Sequence, residues 1–170
     1  SKVSLKSEQY VSRAGLKLAS VAKQFNLQFA DKLVLDVGSS TGGFTDYALQ
    51  HRASKVVAVD VGTNQLHQSL RTNNKVELHE QTDIRDVTAK TTAASKKIAI
   101  ERPDIVVIDV SFISLRHILP HIATLVKPES LIIAMCKPQF EAGNNQKNKG
   151  VIKNDKMRRD ILHDFEAWLK

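Results

Sequence analysis

Three glycines, Gly38, Gly42 and Gly43, fall within six positions of a chain that holds only seven, with Asp36 before them and Asp46 after. They belong to the stretch Leu33–Asp46, LVLDVGSSTGGFTD. Glycine lets a backbone turn sharply and lie against a ligand where a Cβ would clash. A helix starting just after such a turn offers N–H groups with no partner of their own. The chemistry this suits is the holding of a small polar ligand at a strand end. Spacing narrows the ligand. A phosphate loop needs Lys followed by Ser or Thr after its last glycine, and Phe44-Thr45 stand there instead. A dinucleotide turn needs G-x-G-x-x-G, whereas the first interval here is G-x-x-x-G, with Ser39 and Ser40 inside it. Taken alone, the turn is also compatible with a tight strand-to-helix connection that binds nothing.

Two later strand ends suit a nucleoside. VVAVD ends in Asp60, followed by Val61, and an acidic residue at that place can take ribose hydroxyls. After the third strand come Gln81-Thr82-Asp83-Ile84, where Asp83 could accept from an adenine amino group and Ile84 pack on the ring. The D-x-G-x-x-x-G-G form resembles the first motif of S-adenosylmethionine enzymes. That resemblance implies S-adenosyl-L-methionine as the cofactor, held by Asp36, Gly38, Ser39, Ser40, Gly42, Gly43, Phe44, Asp60, Val61, Asp83, Ile84 and Asp109.

Charged residues stand at two further strand exits, IVVIDVSFISL (Ile105–Leu115) and MCKPQFE (Met135–Glu141). These exits bring Asp109 and Lys137 to the edge where open α/β sheets bind ligands. An early helical segment, YVSRAGLKL (Tyr10–Leu18), adds Lys17, with Arg13 four residues before it on the same face. A lysine beside a hydroxyl can promote its attack as a cation, or as a base where a second cation disfavours its charged form. An aspartate between two lysines orients them and offsets their charge. Each residue also has a plainer reading: a solvated lysine, an aspartate that caps the following turn, an arginine packed on the sheet edge.

Together the segments YVSRAGLKL, LDVGSSTGGFTD, VDVGTNQL, DVSFISL, KPQFE and GVIKND resemble the TlyA, or hemolysin A, family within the FtsJ-like ribose 2′-O-methyltransferases. They span Tyr10 to about Asp155. The resemblance implies methyl transfer to a ribose 2′-hydroxyl of ribosomal RNA, in cytidine, with ribosomal RNA or ribosomal subunits as partners. It implies a Lys-Asp-Lys-Glu tetrad, in which Lys17, Asp109 and Lys137 match the first three members. The glutamate lies in a later strand that this sequence lacks, and the family's N-terminal S4 RNA-binding module is expected to be absent as well. Residues 1–170 are therefore expected to be a fragment that holds the FtsJ-like methyltransferase domain.

The elements that must position these residues read as an α/β fold of the Rossmann-like methyltransferase kind. A mostly parallel sheet with helices on both faces is expected, without the last two strands. Strands are expected at Leu33–Val37, Val56–Asp60, Val76–His79, Ile105–Asp109 and Leu131–Cys136. Most are apolar throughout, as strands buried on both faces are. Helices are expected at Ser12–Phe25, with Leu16, Ala19 and Ala22 in one stripe, and at Phe44–His51, Gln65–Arg71, Leu115–Leu125 and Asp155–Leu169. Pro120 kinks or restarts the fourth of these. Thr88–Ile100 reads as a further helix, and Glu141–Gly150 as a polar loop.

The 170 residues suffice for one core, and the net charge of +7 favours polyanionic partners. Lys147 and Lys149 are candidate RNA contacts with Arg13. One cysteine excludes an internal disulfide, and the six histidines show no metal-ligand spacing, so no metal is expected. No apolar run reaches the roughly 18–20 residues of a membrane span, which argues against the membrane-active role in the older family name and favours a cytoplasmic protein. A non-catalytic cofactor- or RNA-binding module is the remaining alternative.

Overall fold

Short runs of β-branched and aliphatic residues set the architecture. The computed structural model describes residues 9–90, 98–143 and 150–170. In chain order its strands are β1 (Leu33–Val37), β2 (Lys55–Val59), β3 (Val76–His79), β4 (Val87–Ala89), β5 (Ile98–Ile100), β6 (Ile105–Ile108) and β7 (Leu131–Ala134). Five of them form one sheet in the order β3-β2-β1-β6-β7, every pair parallel. The chain builds outward from β1 to β3, then returns and places β6 on the other side of β1. That reversal opens a crevice at the carboxyl ends of β1 and β6, where such sheets bind ligands.

Alternation along the strands feeds two cores. Val34, Val56, Ile105 and Val107 pack with Leu18 and Ala22 of α1 (Ala14–Gln24) and Phe44, Tyr47 and Ala48 of α2 (Gly43–Gln50). Leu35, Val37, Val57, Val59, Val106 and Ile108 pack on the other face with Leu115, Ile118, Phe165 of α6 (Asp155–Leu169), and Ile122 and Leu125 of α4 (Leu119–Leu125). Among the described residues no helix is long and apolar enough to cross a membrane.

The structure corrects several sequence expectations. Thr88–Ile100 is not one helix: its described ends lie in β4 and β5, which pair in parallel as a separate two-stranded sheet. Val87-Thr88-Ala89 and Ile98-Ala99-Ile100 both alternate with period two, a strand signal. The buried stripe of α1 is Gly15, Leu18 and Ala22, and Leu16 is exposed. The helix expected at Gln65–Arg71 shrinks to one turn, α3 (Gln68–Arg71), begun by the ring of His67, which accepts from the Ser69 N–H. Pro120 marks a restart. A 3₁₀ turn at Leu115–His117 ends at Ile118, and α4 begins with proline in its first turn, where its missing N–H costs nothing. Glu141 is not loop but the last residue of a one-turn helix, α5 (Pro138–Glu141).

One residue of β1 resists its place. Asp36 is 1% exposed between Ala58 and Val107 of the flanking strands. Its Oδ2 accepts from the Thr45 hydroxyl at 2.7 Å, while Oδ1 is buried with no hydrogen-bond partner. Burial outweighs the help from Thr45 and pushes its carboxyl up to about 7. The folded state thus holds a proton that an unfolded aspartate, near 3.8, releases. Stability therefore falls as pH rises from about 4 to about 7, by about 4 kcal/mol in all. The paired carboxylates Glu77, Glu80, Asp83 and Asp104 are shifted down, so their contribution is lost as pH falls below about 5 and opposes that of Asp36 only at the acid end of the window. We expect the urea midpoint of the protein to fall between pH 5 and pH 8, and Asp36→Asn to flatten that fall. Parallel pH profiles for the two proteins would refute this account of Asp36.

Candidate active site

The glycine turn is shaped by what lies behind it. Gly38 has φ +79°, and a Cβ there would meet the backbone carbonyl oxygen of Asp109 at 2.7 Å. Its N–H donates to Val59 O at 2.9 Å, so the turn is fastened to β2 while it lies on the exit of β6. Gly43 opens α2 under the start of α1: a Cβ would sit 2.3 Å from Ser12 Oγ and 2.8 Å from Ala14 Cβ. That close approach seats the YVSR segment on the turn, and the Val11 N–H donates to Asp46 Oδ2 at 2.8 Å to hold it there. Gly42, by contrast, packs on Leu66 and Leu70.

Two adjoining cavities open at this edge. The larger, about 330 Å³, is lined by Val37, Gly38, Ser40, Val59, Asp60, Val61, Gln65, Thr82, Asp83, Ile84, Asp109, Val110, Ser111, Phe112, Ile113 and Ile118. The smaller, about 200 Å³, is bounded by Ser12, Ala14, Asp36, Gly38, Ser39, Ser40, Thr41, Gly43, Phe44, Asp109, Ser111 and Lys137. Gly38, Ser40, Asp109 and Ser111 form the wall common to both. Their sizes, one largely apolar and one polar, suit a ligand with a flat ring at one end and a charged group at the other.

Asp60 lies just beyond β2 and organises the larger cavity. Its Oδ2 accepts the Ser40 N–H at 2.8 Å and its Oδ1 the Gly62 N–H at 2.7 Å. Ser40 has φ +47°, an uncommon conformation for a residue with a side chain, and its bond to Asp60 holds it there. Asp83 is at the wall, but its carboxylate is engaged. Oδ1 accepts from Arg85 N and Nε at 2.9 Å, Oδ2 from the Arg85 guanidinium at 2.6 Å, and this pairing holds its carboxyl below the usual range. Ile84 is 5% exposed and belongs to the core as well as to the cavity.

The smaller cavity brings Asp109 and Lys137 together. Lys137 Nζ lies 2.7 Å from Asp109 Oδ1 and donates to Ser111 Oγ at 2.9 Å. Asp109 follows β6 by one residue, and Lys137 is the residue before α5. Cys136, next to Lys137, is half-buried, and burial pushes its thiol up to about 11.

The structure does not gather every residue the sequence nominates. Lys17 and Arg13 are exposed at the start of α1 and line neither cavity. Ala14, one turn before Lys17, lines the smaller one. Lys147 and Lys149 lie outside the described residues. Sequence reasoning missed Ser111, Thr82, Ser12 and Phe112. Ser111 and Phe112 were discoverable as the second and third residues after Asp109 in the same strand exit. Phe112 has φ +65°, is 92% exposed, and tilts against Phe140 at a centroid distance of 5.4 Å. Among the described residues no cluster of three His, Cys, Asp or Glu could hold a metal ion.

Comparison with known proteins fits this geometry. The family model for the FtsJ-like methyltransferase matches residues 10–170. The chain is 46% identical over 167 residues to the 23S rRNA (cytidine-2′-O)-methyltransferase TlyA of Campylobacter jejuni, covering 97% of this chain and 61% of the relative. It is 38% identical over 150 residues to the 16S/23S rRNA (cytidine-2′-O)-methyltransferase TlyA of Mycobacterium tuberculosis, covering 88% and 53%. A solved structure from Streptococcus thermophilus, described under the name hemolysin, superimposes with a TM-score of 0.85 at 40% identity, covering 98% of this chain and 58% of that one. The chain thus spans between half and two thirds of the length of these relatives. With the motif residues on one sheet edge and this similarity running along nearly all of the sequence, the chain belongs to the FtsJ-like methyltransferase family.

Proposed function

We propose that this chain carries the methyl-transfer site of an enzyme that uses S-adenosyl-L-methionine to methylate a ribose 2′-hydroxyl of ribosomal RNA, in the cytoplasm, as the names of its relatives suggest for cytidine. The observation that carries the reading is the Asp109–Lys137 pair, 2.7 Å apart at the wall between the two cavities.

The residues present fit the cofactor. Asp36 Oδ1, buried and unpartnered beside the smaller cavity, is a waiting acceptor for an ammonium group. Gly38 lets the turn lie against the Asp109 exit, where a Cβ would stand 2.7 Å from the carbonyl oxygen. Asp60 keeps its carboxylate at the larger cavity, where ribose hydroxyls can donate to its remaining lone pairs. Asp83 and Ile84 wall the place for the adenine. When bound, the cofactor supplies an electrophilic methyl group on sulfur.

This chain's residues then do the rest. Lys137, held between Asp109 and Ser111, presents a cation to a hydroxyl entering the smaller cavity, and stabilises the negative charge that grows on its oxygen as its proton passes to water. Asp109 orients that ammonium and offsets its charge. Lys17, exposed on α1 and outside both cavities, is assigned as the second cation by resemblance alone, and Arg13, exposed before it, is assigned to RNA phosphates. Alignment of two bound reactants supplies a large part of the acceleration, roughly 7–11 kcal/mol in well-oriented cases.

Two tests follow, with labelled cofactor, purified ribosomal subunits and the full-length protein. Lys137→Ala should lose at least about 100-fold in methyl transfer while cofactor affinity by calorimetry stays near that of the parent. Unchanged turnover, or label found on a base and not on the ribose oxygen after nucleoside analysis, would reject the reading. Gly38→Ala should abolish cofactor binding, because its Cβ has no room beside the Asp109 carbonyl and its φ is unfavourable for alanine. Tight cofactor binding by that variant would show that the turn is not the cradle.

A further inference from the structure

Lys137 and Asp109 are 28 residues apart, on the exits of two strands, and each stands at the start of an irregular segment. Lys137 leads into α5, a helix of four residues that is too short to be stable by itself. What fastens it is Glu141. This side chain is buried, and its carboxylate reaches back to the segment after Asp109, accepting from the Ser114 hydroxyl and from the Leu115 N–H at 2.8 Å. Ser114 is itself the cap of the 3₁₀ turn Leu115–His117, accepting from the Arg116 N–H at 3.1 Å.

The buried charge is answered from one side. Arg116 Nε, buried and without a hydrogen bond among the described residues, faces Glu141 Oε2 at 3.9 Å. The same guanidinium is held by α6: it pairs with Asp164 at 2.7 Å and lies over the rings of Phe165 and Trp168 at 5.6 and 5.5 Å. Glu141 lines neither cavity. It acts on the pair from behind.

We infer that Glu141 is a positioning residue that clasps the segment bearing Lys137 to the segment bearing Asp109, with Arg116 and α6 holding the clasp shut. The inference rests on the methyl-transfer reading of the pair. A carboxylate suits this place because one group can accept two hydrogen bonds from a turn 26 and 27 residues away. An apolar side chain would leave the Leu115 N–H buried without a partner, which is costly.

The experiment uses the full-length protein, labelled cofactor and ribosomal subunits, with Lys137→Ala as reference. Glu141→Gln keeps an acceptor for Leu115 and a donor for Ser114, and should retain kcat within about threefold. Glu141→Ala should lower kcat by at least about tenfold, and leave cofactor affinity and KM for the cofactor unchanged. Its kcat–pH profile should also move relative to the parent, with the Gln variant restoring it. Should the Ala variant not fold, Ser114→Ala opens the clasp from the other side and should lower kcat in the same way, with cofactor affinity kept. Parental turnover in Glu141→Ala or Ser114→Ala beside an inactive Lys137→Ala overturns the clasp alone. So does a loss of turnover matched by an equal loss of cofactor affinity and not rescued by glutamine. Full activity in Lys137→Ala overturns the reading of the pair and the clasp with it.

Discussion

Everything at the ligand edge depends on one close approach: Gly38 lying against the backbone of Asp109. A side chain at position 38 would stand 2.7 Å from that carbonyl oxygen. The glycine turn and the strand exit that carries Asp109 are therefore two sides of one wall. Parallel pairing of β1 with β6, in register from Val34 to Val37, brings them together. The reversal of strand order at β1 supplies the opening. If β1 and β6 were not adjacent, the same residues would exist at separate places.

The same edge concentrates negative charge, and the structure answers each carboxylate differently. Asp60 is solvated by two backbone N–H groups, Asp109 by an ammonium at 2.7 Å. Asp36 has only Thr45, and Asp109 and Asp60 add to the pressure that burial places on it. Such an arrangement is costly, because burial disfavours the charged form of Asp36 and only one hydroxyl offsets it. Glu141 belongs to the same economy of charge, since its burial is tolerated through hydrogen bonds to a turn and a guanidinium stacked on two rings.

Much of this was legible in the chain because it depends on local pattern. Apolar runs at regular intervals marked the five sheet strands, and the glycines, Asp60, Asp109 and Lys137 could be placed at strand ends by counting. What was not legible depends on contacts between distant segments. Thr88–Ile100 has helix-compatible residues between two period-two ends, and only pairing of those ends decides for strand. The buried face of α1 keeps Ala22 but takes Gly15 and Leu18 in place of Leu16 and Ala19, because Gly15 must admit the Tyr10 ring and so cannot face solvent. Glu141 looked like the start of a polar loop. Its partners lie 26 and 27 residues upstream, beyond the reach of any periodicity. Lys17 was nominated by resemblance, and its exposed position on α1 is a fact that only the three-dimensional packing of that helix supplies.

The cysteine beside Lys137 bears on fidelity. An enzyme that holds an alkylating agent risks modifying itself, and a thiolate is the side chain most prone to it. Burial, with the Glu141 charge nearby, keeps the Cys136 thiol protonated up to about 11. At neutral pH the thiolate fraction is on the order of one in ten thousand. The strand exit that presents Lys137 thus presents an inert neighbour, and the packing that seats the one also silences the other.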